Sequence, residues 1–511
     1  MPDNDHAVET EIKLRLSPKA RAALEQHPAF NRPRASAPHI QQEVTTYFDT
    51  PDRALSSKGV TLRVRRSGQD RKQTVKAASG DGRQPLQRGE WEWPVERDTP
   101  DLCRLAEIPI AADVRTINAA ALRPVFTTEI QRTARLLRPD DRTTVEVVFD
   151  EGRIITDGAS APVSEMELEL KTGDAHALYR LALELLASAP LALEVASKAE
   201  RGFRLHTGEP PRASKAADVN IDSNASSAET FKHVVGSVLV HMLANMGAAE
   251  QADAEGVHQM RVAVRRLRAA LALFKPQLHP VTVGRFNDEL RRVGDIFGKA
   301  RDWDVFVLET LPAAEKDAPE PACLGPLREA AETKRVAAHR GVCAELDTPV
   351  FARLVLGIAG WIADGANDAP LGGDAALNAP IAGVAAQLLG RMWRKVAKRG
   401  RHMDHASREQ LHALRKAIKK LRYSVEFLAW LYPHKQVKAY LRLCKDLQEL
   451  LGTVNDAAVT PALSGQLRGA GEELAPAICM LTDWATTRGE KARRHVSKPW
   501  HELRSADPFW H

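Results

Sequence analysis

The sequence predicts two modules of different class: an antiparallel β domain with flanking helices, then a duplicated all-α bundle. Three observations predict this. The hydrophobic period changes from two to that of a helix across residues 206–227, the strands before that point carry one apolar and one charged face, and the helical half repeats itself. At 511 residues the chain has room for about three ordinary domains or two large ones. A content of 44% hydrophobic and 27% charged residues excludes a disordered or collagen-like chain.

Short alternating runs come first, at Glu9–Leu16, Gln42–Phe48, Thr61–Arg66, Gln73–Lys76, Glu90–Val95, Thr143–Asp150 and Glu165–Lys171, mostly parted by Gly, Asp and Ser. Helical patterns interrupt them at Pro18–Gln26 and Ala175–Ala187. Segment His206–Ser227 has the Pro, Ser, Ala, Asn and Asp content of a linker. Amphipathic helical segments follow near 228–247, 256–275, 283–298, 320–342, 379–399, 406–432, 435–451 and 471–492. The expected division is therefore 1–205, a linker at 206–227, and 228–511.

Within the second module, Val257-His-Gln-Met-Arg-Val-Ala-Val-Arg-Arg-Leu-Arg268 aligns without a gap on Leu411-His-Ala-Leu-Arg-Lys-Ala-Ile-Lys-Lys-Leu-Arg422, an offset of 154 residues. At the same offset Gly298 meets Gly452, Asp302 meets Asp456 and Val305 meets Val459. A pseudo-twofold duplication follows, with copies at about 228–380 and 381–500.

Charge separates the modules further. Residues 1–205 carry 30 Lys+Arg against 31 Asp+Glu, whereas the remainder carries 42 against 35, so the basic half is the one expected to meet an anionic partner. Five isolated cysteines (Cys103, Cys323, Cys343, Cys444, Cys479) form no CxxC pair and suit a reducing cytoplasm. The polar start, Met1 to His6, does not read as a secretory signal, and the apolar stretch Leu354–Trp361 is too short to span a membrane.

The strands of the first module are unusual in their charged faces. A period of two puts Glu9, Glu11, Lys13 and Arg15 on one side of the first strand, and Arg63 with Arg65 on one side of another. Asp150 lies on the Glu146 side, and Glu165, Glu167 and Glu169 form a row. Two architectures accommodate this. Either these are the solvent faces of an ordinary barrel or sandwich, or they line a barrel with a charged interior. Like charges two residues apart, segregated by strand, suit the second: one wall for divalent cations and one for a polyanion. No Gly-rich phosphate loop and no serine triad order appears.

The series Glu9-x-Glu11-x-Lys13, Thr46–Thr50, Gly59–Arg65, Thr74–Lys76, Arg88–Glu92, Arg132, Glu146, Asp150, Glu165–Lys171 and Ser197–Phe203 resembles, in order, the CYTH or triphosphate tunnel metalloenzyme family, over residues 7–205. The resemblance implies an eight-stranded antiparallel β tunnel holding a linear triphosphate. Carried over residue by residue, it implies Glu9, Glu11, Glu146, Asp150, Glu165, Glu167 and Glu169 on Mg²⁺ or Mn²⁺, with Glu9, Glu11 and Lys13 catalytic. It does not say which of the three carboxylates at 165–169 touch metal. Lys13, Arg63, Arg65, Lys76, Arg132 and Lys198 are implied as phosphate clamps, with Glu90 and Glu92 as further acidic candidates. The implied reaction is hydrolysis of inorganic triphosphate to pyrophosphate and phosphate, in which positioning and charge stabilisation do most of the chemistry. A tunnel that binds without turnover, thiamine triphosphatase and adenylate cyclase are the alternatives.

In the second module His258, Arg261, Arg265 and Arg268 fall in one stripe, reproduced by His412, Arg415, Lys419 and Arg422, with Lys416 beside it. Arg391, Arg394, Lys395, Lys398, Arg399 and Arg401 add a further basic stretch. Each stripe also reads as an ordinary exposed face, but single-sign charge on both copies carries a repulsion that such a face has no need of. This half resembles the CHAD domain, which implies inorganic polyphosphate as partner and association with polyphosphate granules. Nucleic acid is disfavoured because few aromatic residues interrupt the stripes and no recognition helix or zinc-finger spacing is present.

Overall fold

The computed structural model describes residues 8–31, 35–78, 86–108, 117, 119–317, 324–363 and 375–510. They divide into two compact units, one of residues 1–212 with 346–365, the other of residues 213–345 with 366–511.

The first unit is built on strands β1 (Val8–Arg15), β2 (His39–Asp49), β3 (Thr61–Ser67), β4 (Asp70–Ala78), β5 (Gln87–Pro94), β6 (Arg123–Leu137), β7 (Thr144–Thr156), β8 (Ala159–Thr172) and the two-residue β9 (Ala192–Leu193). Helices α1 (Pro18–Glu25), α2 (Ala175–Ser188) and α3 (Lys198–Thr207) join them. The strand order is β5-β4-β3-β2-β6-β7-β8-β1, and a β5–β1 pairing closes the ring into an eight-stranded antiparallel barrel. Strand β1 makes that closure by dividing its partners: Val8–Thr10 pair with β5 and Glu11–Arg15 with β8, while Leu14 and Arg15 also pair with β9.

The barrel is inverted relative to a common core. Ile12, Leu14, Val145, Val147 and Leu168 are buried on its outer face, while the residues between them point charges inward. Outward-facing Phe48, Leu62, Val64 and Val75 cluster with Leu105 and Ile108 from the segment after β5. Apolar area leaves water under the surrounding helices and loops, and that burial frees the interior to be polar. At one end Tyr47, Phe126, Ile130, Ile154 and Val163 pack against Ala199 of α3. Gly202 permits this approach, since a Cβ there would lie 2.1 Å from the Phe126 ring.

One helix departs from the division expected at 228–511. By sequence α9 (Pro349–Ala363) belongs to the helical half, yet it clusters with the barrel unit, where Gly360 meets Tyr179 of α2 and its carbonyl lies 3.1 Å from His176 Nδ1. Its buried Phe351, Leu354, Val355 and Ile358 explain the attraction: the helix is apolar enough to serve as cover for another layer.

The second unit opens with the irregular stretch 213–226 and is otherwise mainly helical in its described residues: α4 (Ser227–Glu250), α5 (Ala254–Phe274), α6 (Pro280–Val305), α7 (Leu311–Asp317), α8 (Gly325–Leu346), α10 (Ala375–Asn378), α11 (Ile381–Arg399), α12 (Arg408–Phe427), α13 (His434–Gly465), α14 (Ala475–His495) and α15 (Ser497–Ser505). The 154-residue offset is physical. Helices α4, α5 and α6 begin at 227, 254 and 280, and α11, α12 and α13 begin at 381, 408 and 434. Asp253 caps α5 and its counterpart Ser407 caps α12, each side chain accepting from a backbone N–H of the first turn. The copies also meet reciprocally: Ser227 N donates to Ala379 O at 2.9 Å, and Ile381 N donates to Ala225 O at 2.9 Å. Exchange of the same bond between equivalent residues is what a twofold relation requires.

Candidate functional site

The barrel encloses a cavity of about 350 Å³ lined by both signs of charge, including Glu9, Glu11, Lys13, Arg63, Arg65, Lys76, Arg132, Glu146, Glu167, Glu169 and Lys198. Strand register decides how the carboxylates are used. Glu167 lies opposite Lys13 and Glu165 opposite Arg15, whereas Glu169 lies opposite Glu11 on one side and Glu146 on the other. Glu165 also lies opposite Asp150, so two opposite-charge pairs and three like-charge pairs sit on the same strand.

The paired level is neutralised internally. Lys198 Nζ lies 2.5 Å from Glu165 Oε1, 2.7 Å from Asp150 Oδ2 and 2.9 Å from Glu167 Oε1. Arg132 donates to Asp150 from Nε at 2.9 Å and from Nη2 at 2.6 Å, and its Nη2 is 3.2 Å from Glu167 Oε2. Arg201 Nη1 reaches Glu165 Oε2 at 2.9 Å. Oxygens of Asp150, Glu165 and Glu167 come within 4.8 Å of one another, a spacing suited to a cation, and the Lys198 ammonium is bonded to all three. Burial acts against the charged form of Glu167, but Lys13, Lys198 and Arg132 hold its carboxyl well below the usual range. Lys198 thus donates to Glu165 and Glu167 and forms an ion pair with Asp150.

The like-charged level differs. Burial, with Glu9 and Glu11 nearby, pushes the Glu169 carboxyl up to about 7 even though Lys171 lies 2.7 Å away. Lys171 also reaches Glu146 at 3.2 Å, Lys76 reaches Glu9 at 2.6 Å and Glu90 at 3.2 Å, and Lys13 contacts Glu11. Hard carboxylate oxygens that repel one another in a half-buried wall are the donor set a small divalent cation takes. Glu9, Glu11, Glu146 and Glu169 fit such an ion.

Facing this wall, Arg63 is 3.6 Å from Glu90 and Arg65 is 3.5 Å from Glu43, and the Nε of each is buried without a hydrogen-bond partner. Burial and its neighbours Arg63 and Arg132 lower the Arg65 pKa, so an entering anion would be favoured there. Glu92 turns toward Lys72 at 2.9 Å and Thr74, and its carboxyl is held at about 2 by Lys72, Arg65 and Arg63 against the cost of burial. The sequence reading missed Glu43, which bridges Arg65 and Arg132 (3.5 Å each); the alternation Gln41, Glu43, Thr45, Tyr47 was the available signal.

In the helical unit α5 packs on α12 and brings the two basic stripes together. Arg261 and Arg265 lie among Arg415, Lys419 and Arg422, so that burial and four arginines depress the Lys419 ammonium to about 6. His258, half-buried beside Arg301 and Arg265, falls to about 4. His412 Nδ1 lies 2.8 Å from Asn455 Oδ1, and its pKa is lowered by burial. Opposing carboxylates are sparse: Asp302 is 3.8 Å from Arg261, and Glu426 is 3.2 Å from Arg422. Lys416 is exposed on the outer side of α12, and Arg268 donates to Asn287 at 3.2 Å.

A closed β barrel with a charged interior, followed in the chain by a duplicated helical bundle with a basic seam, defines a two-module protein. The CYTH domain matches residues 7–203 and the CHAD domain residues 233–464, and the chain is a CYTH–CHAD protein. It is 30% identical over 199 residues to an inorganic triphosphatase of Haemophilus influenzae, covering 39% of this chain and 54% of that protein, so the match spans about half the length of the relative. An uncharacterized protein of Mycobacterium tuberculosis is 27% identical over 440 residues, 82% of this chain and 81% of its own. Among solved structures, the CHAD domain from the plant Ricinus communis superposes with a TM-score of 0.52 at 27% identity, covering 58% of this chain and 98% of that one. No helix among the described residues is long and apolar enough to cross a membrane.

Proposed function

We propose that the barrel is a divalent-metal-dependent inorganic triphosphatase, hydrolysing triphosphate to pyrophosphate and phosphate, and that the helical module binds inorganic polyphosphate. The observation that carries the first half is the cavity itself: the carboxylates Glu9, Glu11, Glu146 and Glu169, with Lys76 against Glu9, share a volume of about 350 Å³ with Arg63, Arg65 and Arg132. A bare linear polyanion complements such a lining without any apolar pocket for a base or a thiazolium ring. The Haemophilus influenzae relative, named for this activity, supports the same reading.

In this reading Glu9, Glu11, Glu146 and Glu169 hold Mg²⁺ or Mn²⁺, which when bound supplies Lewis-acid neutralisation of the phosphoryl oxygens. Arg63, Arg65 and Arg132 grip phosphate edges through their planar guanidinium groups, while Lys13 and Lys76 add compact charge. Water attacks the terminal phosphorus, the bridging P–O bond breaks, and pyrophosphate leaves with the electron pair. The side chains position the reactants and spread the charge of the transferred group. Lys198, together with Arg132 and Arg201, fixes Asp150, Glu165 and Glu167, so these carboxylates shape the wall and leave the metal to the level above.

Phosphate release by the full chain from triphosphate, ATP and thiamine triphosphate, each with Mg²⁺ or Mn²⁺, tests the enzymatic half. Triphosphate is expected to be turned over fastest, and Glu9→Gln with Glu11→Gln to reduce kcat by roughly a hundredfold or more. Undiminished turnover in that variant would exclude the metal assignment. For the helical half, retention of long-chain polyphosphate is expected to weaken steeply with salt.

A further inference from the structure

The twofold relation of the helical unit fails between α4 and α11, and the failure uncovers a surface. In the first copy, Ser237, His241 and Asn245 of α4 lie on one face, and the latter two are buried under the chain's own connecting segment. Asn245 accepts from Ser214 N at 2.9 Å and donates to Ser214 O at 3.0 Å, and His241 Nε2 lies 3.2 Å from the same carbonyl. The backbone at Ser214 thus lies against that face. At the 154-residue offset the equivalent positions on α11 are Arg391, Lys395 and Arg399. Among the described residues no segment hydrogen-bonds across them: Lys395 and Arg399 are exposed, and Arg391 turns back to the carbonyls of Ala272 and Leu273 at the end of α5.

This α11 face continues the basic seam. Lys420 of α12 is held at about 8 by burial and by Arg268, Lys395, Arg399 and Lys416, and Lys395 is lowered by burial and by Arg391, Lys275 and Arg399. Among the described residues no carboxylate forms an ion pair with Lys395, Arg399, Lys416 or Lys420. Cations so crowded are stabilised only by a mobile or bound anion.

We propose that the α11 face, where α4 receives the protein's own chain, receives the continuation of a polyphosphate strand leaving the α5–α12 seam, so that the module measures chain length on one side only. This rests on the polyphosphate reading above. The strand is extended, uniformly anionic and free of side groups, matching an exposed basic face whose twin takes the chain at Ser214. The seam from His258 to Arg268 is about 15 Å long, and a longer strand gains the α11 cations.

The test measures binding of short-chain and long-chain polyphosphate to the full protein in EDTA. It uses Lys395→Gln with Arg399→Gln and, as a control of equal charge change on another face of α11, Arg394→Gln with Lys398→Gln. All four side chains are exposed, and circular dichroism checks the fold. The first pair is expected to weaken long chains alone and to reduce the log–log salt slope by about 1.4, two contacts at about 0.7 each, with the control pair near wild type. Equal loss from both pairs, or equal loss for short and long chains, overturns the proposal. A single-stranded oligonucleotide showing the same dependence would overturn the choice of polyphosphate. Failure of the unaltered protein to bind any chain would instead remove the reading on which this one rests.

Discussion

Glu11 lies directly opposite Glu169 across the β1–β8 ladder, and Glu146 lies opposite Glu169 on its other side. Burial and the charges of Glu9 and Glu11 hold the Glu169 proton to about pH 7, above the usual 4.5. Between these values the folded protein keeps a proton that the unfolded chain has lost, so stability falls as pH rises from about 4.5 to about 7 and is flat outside that window. Glu169→Gln should abolish this contribution, by as much as about 3 kcal/mol in the difference between urea unfolding at the two ends of the window. An unchanged pH slope in the variant would mean that the like-charge contact is relieved some other way. A divalent ion should offset the loss above about pH 7 by stabilising the ionised form.

The level below behaves in the opposite sense. Lys198→Met removes the ammonium shared by Asp150, Glu165 and Glu167 and leaves their buried charge to Lys13, Arg132 and Arg201. Breaking one side of a buried ionic group costs about 3–5 kcal/mol. The midpoint of urea unfolding should drop accordingly, and adding Glu165→Gln to the variant should recover part of it. Additive losses would show that Lys198 and Glu165 are not coupled.

Much of this arrangement is legible in the chain because period-two alternation is a local property. Glu9, Glu11 and Lys13 share a face whatever surrounds them, and the 154-residue repeat is written in the helices themselves. What alternation cannot give is register between strands. Glu165, Glu167 and Glu169 are equivalent by sequence, and only pairing with Arg15, Lys13 and Glu11 distinguishes them. Lys198 is another such case: cationic character is visible in sequence, but its pairing with three carboxylates depends on where α3 meets the barrel. The placement of α9 with the barrel unit is equally non-local, since an apolar helix announces that it needs cover and not which layer provides it.

Gly202 offers a steric test of that α3 contact. A methyl group there would fall 2.1–2.5 Å from Phe126 ring atoms, and Phe126 is itself stacked on Tyr47 with centroids 4.4 Å apart. Gly202→Ala should therefore displace α3 and cost about 1–3 kcal/mol by overpacking, despite the better helix propensity of alanine. A thermal midpoint at or above wild type would indicate that the end of the barrel yields without cost.

The seam of the helical unit carries a proton-linked consequence. Lys419 faces Arg261 and Arg265 from α5 and Arg415 and Arg422 from its own helix, with Asp302 of α6 and Asp456 of α13 on the far side of the arginines. Burial and this cationic surround lower it to about 6, so at about pH 8 it is neutral in the free protein, as Lys420 partly is. A phosphate strand laid along the seam reverses the field and restores the ordinary lysine value, so the complex takes up about one proton at Lys419. Affinity for polyphosphate should consequently rise as pH falls from about 9 toward about 6. Calorimetry in buffers of different ionisation enthalpy measures the uptake directly. Lys419→Arg keeps the positive charge without the titration, and should bind at least as tightly at about pH 8 while taking up about one proton fewer. Equal proton uptake by the variant and the unaltered chain would place the linkage elsewhere, with His258, His412, Lys395 and Lys420 among the other groups on that surface whose proton affinity is lowered.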